Sequence, residues 1–195
     1  MTIPDTINGL PVTSIRGGAF YNCTSLTSAT IATSVTNIGD WAFDGTGLTS
    51  VTIGTNVTRI GNWAFAFCTG LTAIAVEALN SAYISVGGVL FNKSQRTLIQ
   101  YPPGRPGTSY TIPNTVTHIG DAAFSGCTSL TNVTIGTNVT SIGFAAFHHC
   151  QSLTSITIPN SVTNIGDYAF CDCTSLRRVL FLSTPPHPRF GCIRR

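Results

Sequence analysis

His148-His149 and Cys171-Asp172 stand 23 residues apart. Imidazole, thiolate and carboxylate are all ligands that zinc accepts. A chain that repeats with that spacing would set His148 over Cys171 and His149 over Asp172 on neighbouring turns. The same logic offers a Cys171–His148 dyad for nucleophilic chemistry. Against both, the pairs carry no C-x-x-C or H-x₃₋₅-H spacing, nothing orients the imidazole, and no oxyanion hole is apparent. The equivalent positions elsewhere hold Tyr21-Asn22, Asp44-Gly45, Ala66-Phe67 and Ser125-Gly126, which reads as a pair of solvent-facing positions that vary freely. The seven acidic residues are scattered, Lys93 is the sole lysine, and His118 and His187 lie apart. No nucleophile elbow, phosphate loop or carboxylate pair appears. The expectation is a non-enzyme with no cofactor and no resident metal.

Two other groups of residues are suited to binding. Trp41 and Trp63 precede Ala-Phe in successive repeats, with Tyr21 and Phe67 nearby, and such aromatics are enriched at binding hot spots. Ser28 and Thr30, Ser50 and Thr52, Asn132 and Thr134, and Ser155 and Thr157 alternate with apolar residues, so they should line the outer face of a sheet. Ala73 and Ala75 interrupt that array.

What positions these residues is a repeat. Ala-Phe recurs at Phe20, Phe43, Phe65, Phe124, Phe147 and Phe170, with gaps of 23, 22, 59, 23 and 23. Fixed self-similarity at this period marks a stacked architecture, and the gap of 59 reads as one period plus an insertion of 36. Segments such as Leu48–Ile53, Leu130–Ile135 and Leu153–Ile158 alternate as a half-buried strand does. Pro159-Asn160 or Gly136-Thr137-Asn138 turns the chain, and a Val-Thr-x-Ile stretch follows. Gly-Asp-x-Ala-Phe then predicts a turn in which Asp40, Asp121 or Asp167 caps a short helical turn. One unit cannot bury its own Leu, Val, Ile and Phe, so each copy must cover the previous one, with strands about 4.8 Å apart. Within the insertion, VGGVLF and TLIQY flank NKSQR as two strands and a turn.

Five of seven cysteines fall three residues after the Phe: Cys23, Cys68, Cys127, Cys150 and Cys173. Stacked at about 5 Å, Cys127, Cys150 and Cys173 are within disulfide reach. Parallel side chains in a column suit a row of buried thiols better.

LTNVTIGTNVTSIGFAAFHHCQSL resembles the leucine-rich repeats of the BspA type, found in many bacterial surface proteins and some protists. SAYISVGGVLFNKSQRTLIQYPPG is similar to a hairpin-bearing variant of that repeat. The resemblance runs from about Thr2 to Leu180. It implies a leucine-rich-repeat solenoid of the α/β horseshoe class, β-dominated with short helical turns, as one domain over 1–195 with an insertion at about 77–110 and an irregular tail at 181–195. It also implies a cell-surface or secreted role in adhesion to proteins or glycans. Arg16-Gly17 departs from the Gly-Asp pattern, and Met1 begins within a repeat, so a fragment or end-to-end self-association through uncapped ends is expected.

Bulk composition narrows the partners. The chain is 43% hydrophobic but only 9% charged, against roughly a quarter in ordinary domains. Five of the ten basic residues lie at or beyond Arg177, so up to Leu176 five basic residues face seven acidic ones. A nucleic-acid binder would carry a basic stripe along its body. No apolar run spans a bilayer, and the N-terminus carries no signal peptide. The expected function is a non-catalytic protein- or glycan-binding scaffold. The alternatives are recognition of a repetitive solid (ice or polysaccharide) by the Ser/Thr array, to which the invariant Thr of the Val-Thr segments would add, and a passive spacer.

Overall fold

The structure is a computed structural model that describes residues 2–182; the rest of the tail, including His187, lies outside the described residues. Each coil of the solenoid contributes one strand to each of two parallel ladders. The first ladder runs Ser28–Thr30, Ser50–Ile53, Ala73–Val76 and, after a break, Ser109–Thr111, Asn132–Thr134, Ser155–Ile158, Arg178–Phe181. The second runs Ser14–Ile15, Asn37–Ile38, Arg59–Ile60 and then Thr97–Gln100, His118–Ile119, Ser141–Ile142, Asn164–Ile165. Register follows the repeat: Val51 pairs with Ile74, and Val133 with Ile156. Apolar residues of the first ladder point inward and the intervening Ser and Thr outward, as in Ser50–Ile53 and Ser155–Ile158.

The third side of each coil is an arm built from Gly-Asp-x-Ala-Phe and the residues after it. Its amides alternate between two jobs. In coil two, Trp41, Phe43 and Gly45 donate to Asn62, Ala64 and Ala66 of the next coil, at 2.9–3.0 Å. Ala42, Asp44 and Thr46 close turns onto carbonyls three residues back. The arm is therefore a run of turns. The short helical turn expected from sequence does not form, because half the amides are used between coils. The Asp has a correspondingly different role: Asp40 accepts from the Asn62 amide at 2.9 Å and Asp121 from the Phe144 amide at 2.8 Å, so each caps the following coil. The glycine before it is there for close approach, since a Cβ on Gly61 would sit 2.4 Å from the Asp40 amide nitrogen.

Phenyl rings stack through the interior, with centroids 5.1 Å apart for Phe20–Phe43, 5.5 Å for Phe43–Phe65, 4.7 Å for Phe124–Phe147 and 5.3 Å for Phe147–Phe170. The columns are not continuous, contrary to expectation; the buried residues form two clusters that part at the insertion. The insertion is itself a coil. Tyr101 stacks on Phe124 at 5.2 Å and occupies the phenylalanine position, so the gap of 59 divides into 36 and 23 residues. Coils one to seven thus carry Phe20, Phe43, Phe65, Tyr101, Phe124, Phe147 and Phe170.

The reading of two strands about Lys93–Arg96 holds, for Val89–Asn92 pairs antiparallel with Thr97–Gln100. VGGVLF is not one strand, however. Gly87 and Gly88, at φ 56° and 84°, form the tight turn of a further hairpin with Tyr83–Val86, the geometry that positive φ at both positions serves. The hairpin also covers the ladder break. The Tyr83 hydroxyl accepts from the Ile60 amide at 2.9 Å and donates to Thr58 O at 3.3 Å.

Since Tyr101 is a full rung of the stack, Tyr101→Ala should cost about 3–5 kcal/mol, as should Phe124→Ala. Phe20→Ala, at the half-covered first coil, should cost less than half as much. Urea midpoints at constant m-value measure this; a Tyr101→Ala loss below that of Phe20→Ala would remove coil four from the stack.

Candidate aromatic binding groove

The residue before Ala-Phe adopts the left-handed conformation in six coils: Gly18, Trp41, Trp63, Ala122, Ala145 and Tyr168 all have φ between 51° and 64°. Bulky side chains rarely sit there, yet the arm's hydrogen bonding imposes it on whatever residue occupies the rung. A second left-handed position lies two residues after the Phe, at Asn22, Gly45, Phe67, Gly126, His149 and Asp172. That constraint accounts for the Asn, Gly and Asp found there.

Trp41, Trp63, Tyr21 and Phe67, singled out from sequence, line one open concavity together with Gly18 and Asp44. Trp41 is 48% and Tyr21 55% exposed, and among the described residues neither ring stacks on another; the two tryptophans do not pack together. Trp63 and Phe67 form a braced wall. Their rings stack at 6.3 Å, Trp63 meets Phe144 at 6.3 Å and His148 at 5.8 Å, and Phe67 meets His148 at 5.7 Å and His149 at 5.6 Å.

The brace exists because coil four has a short arm. Leu98 pairs with Ile119, but the chain reaches Tyr101 three residues later, whereas coil five takes five residues to reach Phe124. Coil three's arm consequently lies directly on coil five's. Asn62 Nδ2 donates to Asp121 Oδ2 at 3.2 Å, the Phe67 amide donates to Ser125 O at 3.5 Å, and a Cβ on Gly126 would come within 3.0 Å of Phe67. Ser125 and Ala66 are buried as a result, so the pair of positions after Phe is not uniformly solvent-facing.

Asp44 departs most from that reading. It is only 6% exposed, and among the described residues no donor or cation reaches its carboxylate. Burial alone pushes its pKa up to about 6. Beneath it, Thr46 takes the place of the column cysteine, its hydroxyl donating to Phe43 O at 2.8 Å. The cysteine column consists of free thiols that donate to the carbonyl one coil back: Cys68 to Phe43 O at 3.0 Å, Cys150 to Phe124 O at 3.2 Å, Cys173 to Phe147 O at 3.0 Å. Burial pushes Cys68 up to about 11 and Cys127 and Cys150 well above the ordinary thiol value, so these sulfurs are hydrogen-bond donors and not thiolates.

Column logic brings His148, Cys171 and Asp172 together, with ligand atoms within 4.8 Å of one another. His148 Nε2 lies 3.3 Å from Asp172 Oδ2, and burial holds the imidazole below its usual pKa despite that carboxylate. His149 turns away to Gln151 at 3.0 Å. Cys171 is disulfide-bonded, so its sulfur has no thiolate to give a metal.

The strand face forms as expected. Ser28, Ser50 and Ala73 share one row, and Thr30, Thr52 and Ala75 the next. Beyond the break, Ser109, Asn132, Ser155 and Arg178 share a row with Thr111, Thr134, Thr157 and Leu180 beside it. The Val-Thr threonines are different. Thr36, Thr140 and Thr163 donate to the carbonyl of Thr13, Thr117 and Thr140 at 3.1–3.2 Å, so their invariance is explained by coil-to-coil bonding.

Sequence reasoning missed Asp44, Tyr101 and Phe144. Tyr101 was signalled by its spacing of 23 from Phe124, and Phe144 by standing where Asp40, Asp121 and Asp167 stand. Nothing in the sequence marked Asp44.

No curated protein sequence matches the chain. Among solved structures, a leucine-rich repeat protein from Eubacterium ventriosum is 28% identical with a TM-score of 0.73, covering 90% of this chain and 58% of its own. A leucine-rich cell surface protein from Faecalibacterium prausnitzii is 30% identical with a TM-score of 0.61, covering 94% and 59%. The chain thus spans under two thirds of the length of these relatives. The family description of a BspA type leucine-rich repeat region matches in six copies over residues 2–103 and 106–185. With its ladders, phenylalanine stack and hairpin-bearing coil, the chain belongs to the BspA-type leucine-rich repeat family.

Proposed function

We propose that the chain is a non-catalytic recognition module of a surface or secreted protein, and that it holds a protein or glycan partner in the aromatic groove. The observation that carries this reading is the gathering of Trp41, Trp63, Tyr21 and Phe67 around one concavity, with Trp41 and Tyr21 exposed and unstacked. Aromatic anchors beside a braced wall supply contact area at low entropic cost. A surface location is supported by the cell-surface description of the Faecalibacterium prausnitzii relative. The described residues hold no helix long and apolar enough to cross a membrane.

Lattice recognition loses its support. The Ser/Thr rows break at Ala73, Ala75 and the hairpin, and the invariant threonines spend their hydroxyls on the preceding coil.

The test is a screen of immobilised glycans and extracellular-matrix proteins with wild-type chain, Trp41→Ala, and Trp41→Ala/Trp63→Ala. Partner capture should fall at least about tenfold in Trp41→Ala, roughly the 1.4 kcal/mol that a hot-spot aromatic exceeds. Capture that survives both variants would move the site to the strand face, and capture of nothing would leave a spacer.

The same reading implies that the groove is kept at the expense of stability. Asp44 is protonated in the fold up to about pH 6 but ionises in the unfolded chain near pH 4. The unfolded state therefore binds fewer protons between those values, and stability falls as pH rises through that window. Asp44→Asn should recover up to about 2–3 kcal/mol at pH 7.5 and nothing at pH 3. Equal gains at both pH values would mean that the carboxylate is not the cause.

A further inference from the structure

We propose that the groove is a site for an alkylammonium group, which enters between the rings of Tyr21, Trp41 and Trp63 and meets the carboxylate of Asp44. This rests on the groove being the recognition site and goes further, to the chemistry it recognises.

The lining favours a cation over the other ligand classes. Its side chains are Tyr21, Trp41, Trp63, Phe67 and Asp44, with Gly18 leaving the coil-one rung empty. The faces of Trp and Tyr rings carry negative quadrupole charge and attract cations, Trp most strongly. Buried charges are as a rule paired, and Asp44 is 6% exposed with no partner among the described residues. An anion would meet both the carboxylate and the ring faces unfavourably. A neutral sugar would find one phenol, two indole N–H groups and one carboxylate, with no amide, Arg or Lys to complete its hydroxyl pattern. A cation with an alkyl shell satisfies the aromatic faces and the carboxylate together.

The site is also pre-formed on one side and adaptable on the other. Phe144, His148 and His149 hold Trp63 and Phe67 from behind, whereas no ring restrains Trp41 or Tyr21. Those two rings can close on a guest without disturbing the stack.

Proton linkage follows. Asp44 titrates near pH 6 in the empty groove, so the ionised, cation-binding form dominates at neutral pH and is lost on acidification. The titratable groups around it are the Tyr21 phenol on the preceding coil, the Cys68 thiol on the following coil, pushed up to about 11, Asp40 at the start of its own arm, and His148 behind Trp63. The Cys68 thiol therefore stays neutral between pH 5 and 8. Asp40 is already hydrogen-bonded to the Asn62 amide. Two imidazoles lie behind the wall, His148 against Trp63 and Phe67 and His149 against Phe67, and burial lowers the pKa of His148.

The chain has two tryptophans, and both line the groove, so tryptophan fluorescence, excited at the red edge where tyrosine does not absorb, reports on this site alone. It would be titrated with tetramethylammonium chloride, n-butylammonium chloride and the neutral isostere 3,3-dimethyl-1-butanol, at ionic strength matched with NaCl. A saturable response to at least one cation, with the alcohol weaker by about tenfold or more, is the expected result. Asp44→Asn should weaken the cation by about tenfold, and so should lowering the pH from 7.5 to 5, where about a tenth of Asp44 remains ionised. His148→Gln should keep the pH profile. A stronger tetramethylammonium response assigns a quaternary head group, and a stronger butylammonium response a lysine-type side chain. Equal responses to alcohol and cations, or an unchanged cation affinity in Asp44→Asn, overturn the proposal. Should the cations fail while Trp41→Ala still abolishes partner capture, the ammonium assignment falls and the groove stands. Should they bind while capture ignores Trp41, the groove is an ammonium site and the macromolecular reading falls.

Discussion

The constraint on which the structure depends is that the arms of successive coils share alternate backbone amides, as those of coils one, two, five and six do. In the arm of coil two, Trp41, Phe43 and Gly45 donate across while the residues between them close local turns. Coil five repeats this with Ala122, Phe124 and Gly126. Side chains extend the same bonding. Thr hydroxyls and Cys thiols donate to carbonyls one coil back, and Asp40 and Asp121 receive amides of the coil ahead. Buried backbone groups must be paired, and a chain with few helical or antiparallel partners can pair them only by repeating itself. The recurring Gly, Asp, Thr and Cys are consequences of that requirement, and the Phe column fills the space it encloses.

The groove arises from the same requirement. In all six coils the residue before Ala-Phe is left-handed and its carbonyl closes a turn with the amide three residues on, so the side chain there is carried on a fixed, unusual rung whatever it is. Ala122 and Ala145 leave the rung bare, while Trp41 and Trp63 project indoles from it. A deletion in the arm of coil four then lets coil three settle on coil five. That contact turns Trp63 and Phe67 into a wall backed by Phe144, His148 and His149. The site therefore sits where the repeat is interrupted, beside the hairpin-bearing coil.

The period, the inward Phe, the outward Ser and Thr of the first ladder and the grouping of Trp41, Trp63, Tyr21 and Phe67 were all legible, because each follows from spacing plus the alternation of buried and exposed positions. What was not legible depends on backbone conformation or on the loss of a neighbour. Asp-x-Ala-Phe looks like a helix cap because a capping Asp and a left-handed turn share the same residue types. Tyr101 was hidden by taking the insertion as added to a normal coil, when it is the normal coil lengthened. Asp44 looked like one of a freely varying pair, yet the fold leaves it 6% exposed. Cys171 matched the metal column by register, yet register says nothing of an oxidised sulfur.

A repeat solenoid gains stability from uniformity, because each coil is the template for the next. Recognition needs the opposite, a place where one coil differs from its neighbours. In this chain the uniform features, the Thr hydroxyls above all, are consumed internally and leave little to offer a ligand. The departures from the consensus cluster: tryptophan on two left-handed rungs, glycine on a third, a buried acid with no partner, and a short arm behind them. An unpaired Asp44 and bulky left-handed residues both oppose folding, and neither supports a neighbouring coil. Their gathering in one concavity is what the proposed recognition reading would require of the scaffold.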